Sequence, residues 1–289
     1  MPKRNVSCVE TAGEKAHKEE SMHVIGERLN GMFLNVKKGI QNKDKSIIQK
    51  VAIDQIKAGA NSLDVCVGPA SDKPLETMVW LVETIQEVTD ITLCIDTPKF
   101  DVMKAGLEAC KNPKLINSTK GEEEKLDKYM PLAAEHDASI IGLCINEKGI
   151  PKDVNSRVET AALIAMKAME HGVDTDKLYI DPILMPANVA QEQATIVLEA
   201  MSQFKMLSDP PPHIVVGLSN LGQGAKEREL LTRTWIVMGV LNGLDAAIMD
   251  ADDEEMKKAF ITAELLMNKA IYSDSYIKAY SASHNHELK

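Results

Sequence analysis

The stretch "VVGLSNLGQG", Val215–Gly224, is an apolar run that stops at Ser219 and Asn220 and opens into a glycine-rich loop. A strand buried on both faces is a near-continuous run of branched apolar residues, and a polar residue at its end leaves the core to face something else. Seven other short runs share the design: "HVIGER", "SLDVCVG", "TLCIDT", "KLINST", "SIIGLCIN", "LYIDPIL" and "GLDAAIMD". Between the runs lie stretches with helical spacing. Ile47, Ile48, Val51 and Ile56 end at the glycine of "AGAN", and Ala162, Leu163, Met166 and Met169 end at Gly172. Strand and helix alternating in this way predict a parallel sheet with helices outside it. About eight alternations over roughly 250 residues favour an α/β fold closed as a (β/α)8 TIM barrel over an open flavodoxin-like sheet. The first run also lacks the GxGxxG turn of a dinucleotide fold.

Composition narrows the function. The 289 residues are 44% hydrophobic and 26% charged, as expected of a globular protein with a large core. The polar start to about Met22 and the tail "SASHNHELK" flank the alternating region, so we expect an extension over 1–22, a barrel over 23–280 and a tail over 281–289. No stretch reaches the ~20 apolar residues of a membrane span, and the polar start lacks the apolar centre of a signal peptide. A cytoplasmic setting without a membrane partner is expected. Cys8, Cys66, Cys94, Cys110 and Cys144 contain no CxxC pair, and most sit in apolar runs, which reads as buried reduced thiols. A net charge of -10 disfavours nucleic acid as a partner.

In a closed barrel the chemistry sits at the carboxyl ends of the strands. Those ends are Glu27, Asp64, Asp96, Asn117, Asn146, Asp181, Asn220 and Asp250. Asp and Asn also cap helices and turns, so any one position says little, but the set is uniform in chemistry. It contains carboxylates and carboxamides and no cysteine or histidine, so it does not suit zinc. Magnesium prefers oxygen ligands, but no phosphate-binding loop accompanies them, and no intrinsic metal is expected. The histidines are scattered, and no spacing supports a Ser-His-Asp triad. A planar heterocycle with several N–H donors and a ring nitrogen would suit this site.

The motifs "VIGERLNGMF", "LDVCVGPA", "CIDT", "INSTK", "GIPKD", "YIDPILMPANVAQ", "GLSN" and "GLDAAIMDA" resemble those of the methyltetrahydrofolate:corrinoid methyltransferases, pterin-binding TIM barrels related to the dihydropteroate synthases and to the folate domain of methionine synthase. The resemblance covers nearly the whole chain after the extension. It implies that Asp96, Asn117 and Asp181 hold the pterin ring and that the Asn220 amide sits near N5 as the catalytic group. It places Asp64, Glu27, Asn30, Gln223 and Arg228 around the pocket. The implied substrate is tetrahydrofolate or 5-methyltetrahydrofolate. The implied second reactant is a corrinoid (cobalamin) on a separate partner protein, since no DxHxxG segment is present. Homodimers through outer helices are also implied, and "QEQATIVLEAMSQFKML" would suit that role.

Departures from the resemblance bear on direction. The chain reads Asp96-Thr97-Pro98 where the acetogen enzymes usually read Asp-Ser, and it has Gly222 and Gly224 where relatives often carry Ser and Asn. Glycines would loosen the loop after Asn220, which favours transfer from methylcorrinoid to tetrahydrofolate. The alternative is transfer from methyltetrahydrofolate to a corrinoid iron-sulfur protein. An alternative of another class is a folate-binding protein without turnover. A dihydropteroate synthase would carry an Arg and His pair near the last strand, where this chain has "AIMDADDEE".

Overall fold

A computed structural model of the chain describes residues 21–269. Its centre is a closed barrel in which each strand pairs in parallel with the next and the last pairs with the first. The strands are β1 His23–Asn30, β2 Ser62–Cys66, β3 Thr92–Asp96, β4 Lys114–Lys120, β5 Ser139–Leu143, β6 Leu178–Asp181, β7 His213–Gly217 and β8 Ala246–Met249. The helices are α1 Leu34–Asn42, α2 Lys45–Lys57, α3 Pro74–Gln86, α4 Phe100–Ala109, α5 Glu123–Glu135, α6 Val154–Glu170, α7 Gln193–Phe204, α8 Arg228–Leu241 and α9 Glu254–Leu266. The expected (β/α)8 TIM barrel is what forms, with one addition: two helices, α1 and α2, fill the first connection.

Most of the strands are apolar along much of their length because they face two cores. Successive side chains alternate between the faces. One set, including Leu63, Val65, Leu93, Ile95, Ile140, Ile180 and Val216, packs outward against helix residues such as Ile48, Leu81, Ile164 and Ile236. The other set points inward. Ile25, Cys94, Leu115, Ile141, Val215 and Ala246 form a separate buried cluster, bordered by Leu143, Tyr179 and Ile248. Burying a single side chain of this kind contributes about 1.5–3 kcal/mol, so both faces of every strand add to the fold.

Local signals set the helix ends. Asp44, Asp153 and Asp253 each precede a helix and accept a hydrogen bond from a first-turn amide, at 3.0, 2.9 and 3.0 Å. Such caps contribute about 1 kcal/mol each. The glycine stops expected after α2 and α6 are residues with positive φ, Gly59 at 101° and Gly172 at 77°.

Met22, at the expected end of the extension, is buried, and its amide donates to Glu264 Oε1 of α9 at 2.6 Å. The expected tail over 281–289, the rest of the extension and the part of the barrel range beyond 269 lie outside the described residues. Cys66, Cys94, Cys110 and Cys144 are free thiols, and Cys8 lies outside the described residues. Among the described residues no helix is long and apolar enough to cross a membrane.

Candidate active site

The inward alternation continues above the apolar cluster. On four strands the inward residue two positions further on changes the chemistry. Cys94 leads to Asp96, Leu115 to Asn117, Tyr179 to Asp181 and Ile25 to Glu27. On β2 the inward positions are Asp64, paired with Cys94, and Cys66, paired with Asp96; Asp96 in turn pairs with Asn117. The carboxylates and the carboxamide therefore form a band around the inner wall near the carboxyl ends of the strands.

Hydrogen bonds fix the band. Asn117 Nδ2 donates to Asp64 Oδ1 at 3.0 Å, and the Asn117 carbonyl accepts from the Thr97 amide at 3.1 Å. Asp181 Oδ1 accepts from the Ile183 amide at 2.7 Å, a bond made from a residue with φ of 65°. The Asp181 carbonyl accepts from the Cys144 amide at 2.8 Å.

Among the described residues no cation forms a hydrogen bond or ion pair with Asp64, Asp96 or Asp181. Burial pushes Asp64 far above the usual carboxylate range, and the nearby Asp96 carboxylate adds to this. Burial also raises Asp96, and it pushes Asp181 up to about 7 against the weaker pull of the Ile183 amide and the Arg157 charge. Glu27 is raised by burial, opposed by Ser219 and reinforced by Asp250. A carboxylate that loses water without gaining a partner is costly, and a ligand that presents several N–H donors removes the cost. Cys66 was expected to be a core thiol. It is instead half-buried and faces Asp96, and burial together with that carboxylate holds it protonated.

Asn220 ends a short 3-10 turn, Leu218–Asn220, and its side chain is exposed at the rim. The amide folds back over Gly217, the last residue of β7: a Cβ at Gly217 would come within 2.9 Å of Asn220 Nδ2. The missing side chain at that inward position makes room for the carboxamide above the band.

The glycines that follow do not loosen the loop. A Cβ at Gly222 would lie 2.7 Å from Arg228 Cβ and 3.1 Å from the Arg228 backbone, so glycine is required for the loop to pack on the start of α8. Gly224 has φ of 75° and lies against Asn188, and the Ala187 amide donates to the Leu221 carbonyl at 2.9 Å, which joins this loop to the one before α7. The inference of direction from a loosened loop therefore fails.

The other expected residues divide. Glu27 accepts from Ser219 Oγ at 3.0 Å, and with Arg228 and Asp250 it lines a small open cleft. Asn30 Oδ1 accepts from the Met32 amide at 3.0 Å and so holds a turn, while Gln223 is exposed on the rim. Asn146 organises its own loop through Lys148 and Thr160. Arg157 was missed, because it interrupts no periodic pattern and its partners are remote in sequence; Ser219 marked the end of the apolar run, but its bond to Glu27, 192 residues away, left no sequence signal. Among the described residues no group of three or more His, Cys, Asp and Glu side chains could hold a metal ion.

The family described as pterin binding enzyme matches residues 33–250. A methylcorrinoid:tetrahydrofolate methyltransferase of Eubacterium limosum is 32% identical over 263 residues, covering 90% of this chain and 96% of that protein. The methionine synthase of Mycobacterium leprae is 30% identical over 260 residues, but this chain spans only 21% of its length. Dihydropteroate synthase of Thermus thermophilus shares the fold, with a TM-score of 0.62 at 16% identity, covering 86% of this chain and 95% of that one.

Proposed function

The chain belongs to the pterin binding enzyme family, and on that footing we propose that it is a methyltransferase acting between N5 of tetrahydrofolate and the cobalt of a corrinoid carried by a separate protein. The observation that carries the proposal is the inward band of Asp64, Asp96, Asn117 and Asp181 near the rim amide of Asn220. The 2-amino group and ring N–H of a pterin are donors for Asp96 and Asp181, and Asn117 supplies both a donor and an acceptor. The name of the Eubacterium limosum relative supports the direction methylcorrinoid to tetrahydrofolate.

In that direction the N5 lone pair forms the new N–C bond, the C–Co bond breaks with its electron pair left on cobalt, and the N5 proton passes to solvent. A carboxamide suits both directions because it accepts from N5–H or donates to the N5 lone pair without titrating. Arg228 and Lys226, exposed at the rim, are cations available to the anionic folate tail.

The same proposal includes a cytoplasmic setting and a homodimer. The expected dimer helix, α7, shows Thr195, Glu199 and Ser202 to solvent, whereas α8 exposes Leu230, Val237, Met238 and Leu241 along one face. The apolar stripe on α8 is the better candidate for a self-complementary contact.

The test is anaerobic. The protein is mixed with methylcob(III)alamin and tetrahydrofolate, then with a methylated corrinoid protein, while cob(I)alamin absorbance and methyltetrahydrofolate are followed. Turnover that collapses in Asn220→Ala supports the proposal. Tight folate binding with no methyl transfer from either donor identifies a binding protein.

A further inference from the structure

Arg157, in the first turn of α6, is fully buried, and its surroundings are unusual for a buried cation. Its Nη1 donates to the carbonyls of Pro182 at 2.7 Å and Ile183 at 3.3 Å. Its Nη2 donates to the carbonyl of Pro151 at 2.6 Å and to Gln193 Oε1 at 2.7 Å. Gln193, the first residue of α7, returns its own amide to the Lys152 carbonyl at 3.0 Å. One guanidinium thus fastens the loop after β5 to the loop after β6.

Stability alone does not account for this placement. All four acceptors are neutral, and the cation sits at the starts of α6 and α7, where the helix dipole disfavours positive charge. Removing a guanidinium from water without a bonded carboxylate is costly. The titratable groups that its charge reaches are the Cys144 thiol, which burial keeps protonated, and the carboxyl groups of Asp181 and Asp153. Asp181 is the one on the inner wall, and it is followed directly by Pro182 and Ile183, whose carbonyls Arg157 grips.

We propose that Arg157 is a positioning residue for the pterin site: its hydrogen bonds set the Pro182–Ile183 backbone so that the Ile183 amide meets Asp181, and its charge favours Asp181 as the anion that receives the pterin donors. This rests on the proposed function. Among the described residues the charged and titratable groups that act on Asp181 are Arg157 from α6 and Cys144 after β5, and β7, the next strand, ends at Gly217.

The test is calorimetric binding of tetrahydrofolate, without corrinoid, to the full chain from pH 5.5 to 8.5. In the wild type, affinity falls as the solution becomes more acid and the buried carboxylates of the band, Asp181 among them, take up protons. Arg157→Gln moves that fall to higher pH and weakens binding severalfold at pH 7, while Arg157→Lys restores the pH at which it occurs. Gln193→Leu keeps the charge and cuts one tie, so it weakens binding with the titration in place; this variant carries the test if Arg157→Gln does not fold. A titration unmoved in Arg157→Gln, or binding in Gln193→Leu equal to the wild type, overturns the inference. Absence of tetrahydrofolate binding in the wild type would instead overturn the proposed function.

Discussion

Replacing Asp181 by Asn should make the protein more stable while removing its ability to bind folate. In the free protein the folded-state pKa of Asp181 is about 7 against an ordinary 3.8, chiefly because burial disfavours the charge. At about 1.36 kcal/mol per pH unit, that interval corresponds to a ceiling of about 4 kcal/mol by which ionisation disfavours the folded state. The sign follows from proton counting. Below pH 4 both states hold the proton and the cost is absent. Between 4 and 7 the unfolded chain ionises while the folded one does not, so the cost grows, and above 7 it is constant. Asn keeps the Oδ1 that accepts from Ile183 and never ionises. Its new N–H donors lack an assigned acceptor, which costs about 1 kcal/mol. The net gain at pH 8 is about 3 kcal/mol, or roughly 6 °C in melting temperature at this chain length. Thermal unfolding by circular dichroism at pH 4.5, 6 and 8 measures it. A gain independent of pH, or a variant no more stable than the wild type at pH 8, would refute the reasoning.

Other outcomes follow from the same geometry. Asn220→Ala should lower kcat by about tenfold to a hundredfold while the Kd for tetrahydrofolate changes only severalfold, because its hydrogen bond strengthens as N5 reacts; steady-state kinetics with parallel calorimetry separates the two effects. Gly222→Ala forces a Cβ to within 2.7 Å of Arg228 Cβ and should cost about 1–3 kcal/mol in urea unfolding. A variant as stable as the wild type would mean that the loop has room. Val237→Lys with Leu241→Lys places charges on the α8 stripe and should leave a folded monomer in light scattering. A dimer that survives the pair would put the contact elsewhere.

The barrel was legible in the sequence because each strand is buried on both faces, which leaves unbroken runs such as "HIVVG" and "TLCID" between helical spacings. Asp96, Asn117 and Asp181 were legible for a related reason: each interrupts or ends an apolar run at an inward position, where a polar residue has no packing role. Arg157 was not legible. In "DVNSRVET" it reads as an ordinary polar residue of a first helical turn, and its acceptors at Pro182 and Ile183 are 25 and 26 residues away. The role of Gly222 was misread because its constraint comes from Arg228, which meets it only after the loop folds back. Cys66 was misread because residue type suggested a core thiol, while strand parity with Asp64 put it beside Asp96.

The inner apolar cluster of Ile25, Cys94, Leu115, Ile141, Val215 and Ala246 gives the barrel a floor. A well with a floor has a single doorway, and under the proposed function two reactants must share it. Folate, the deeper of the two, has to arrive before the corrinoid protein covers the opening and can depart only after that protein has left. Catalysis in such a vessel is a queue, and an excess of the corrinoid protein, by occupying the doorway too early, would slow the traffic that it serves.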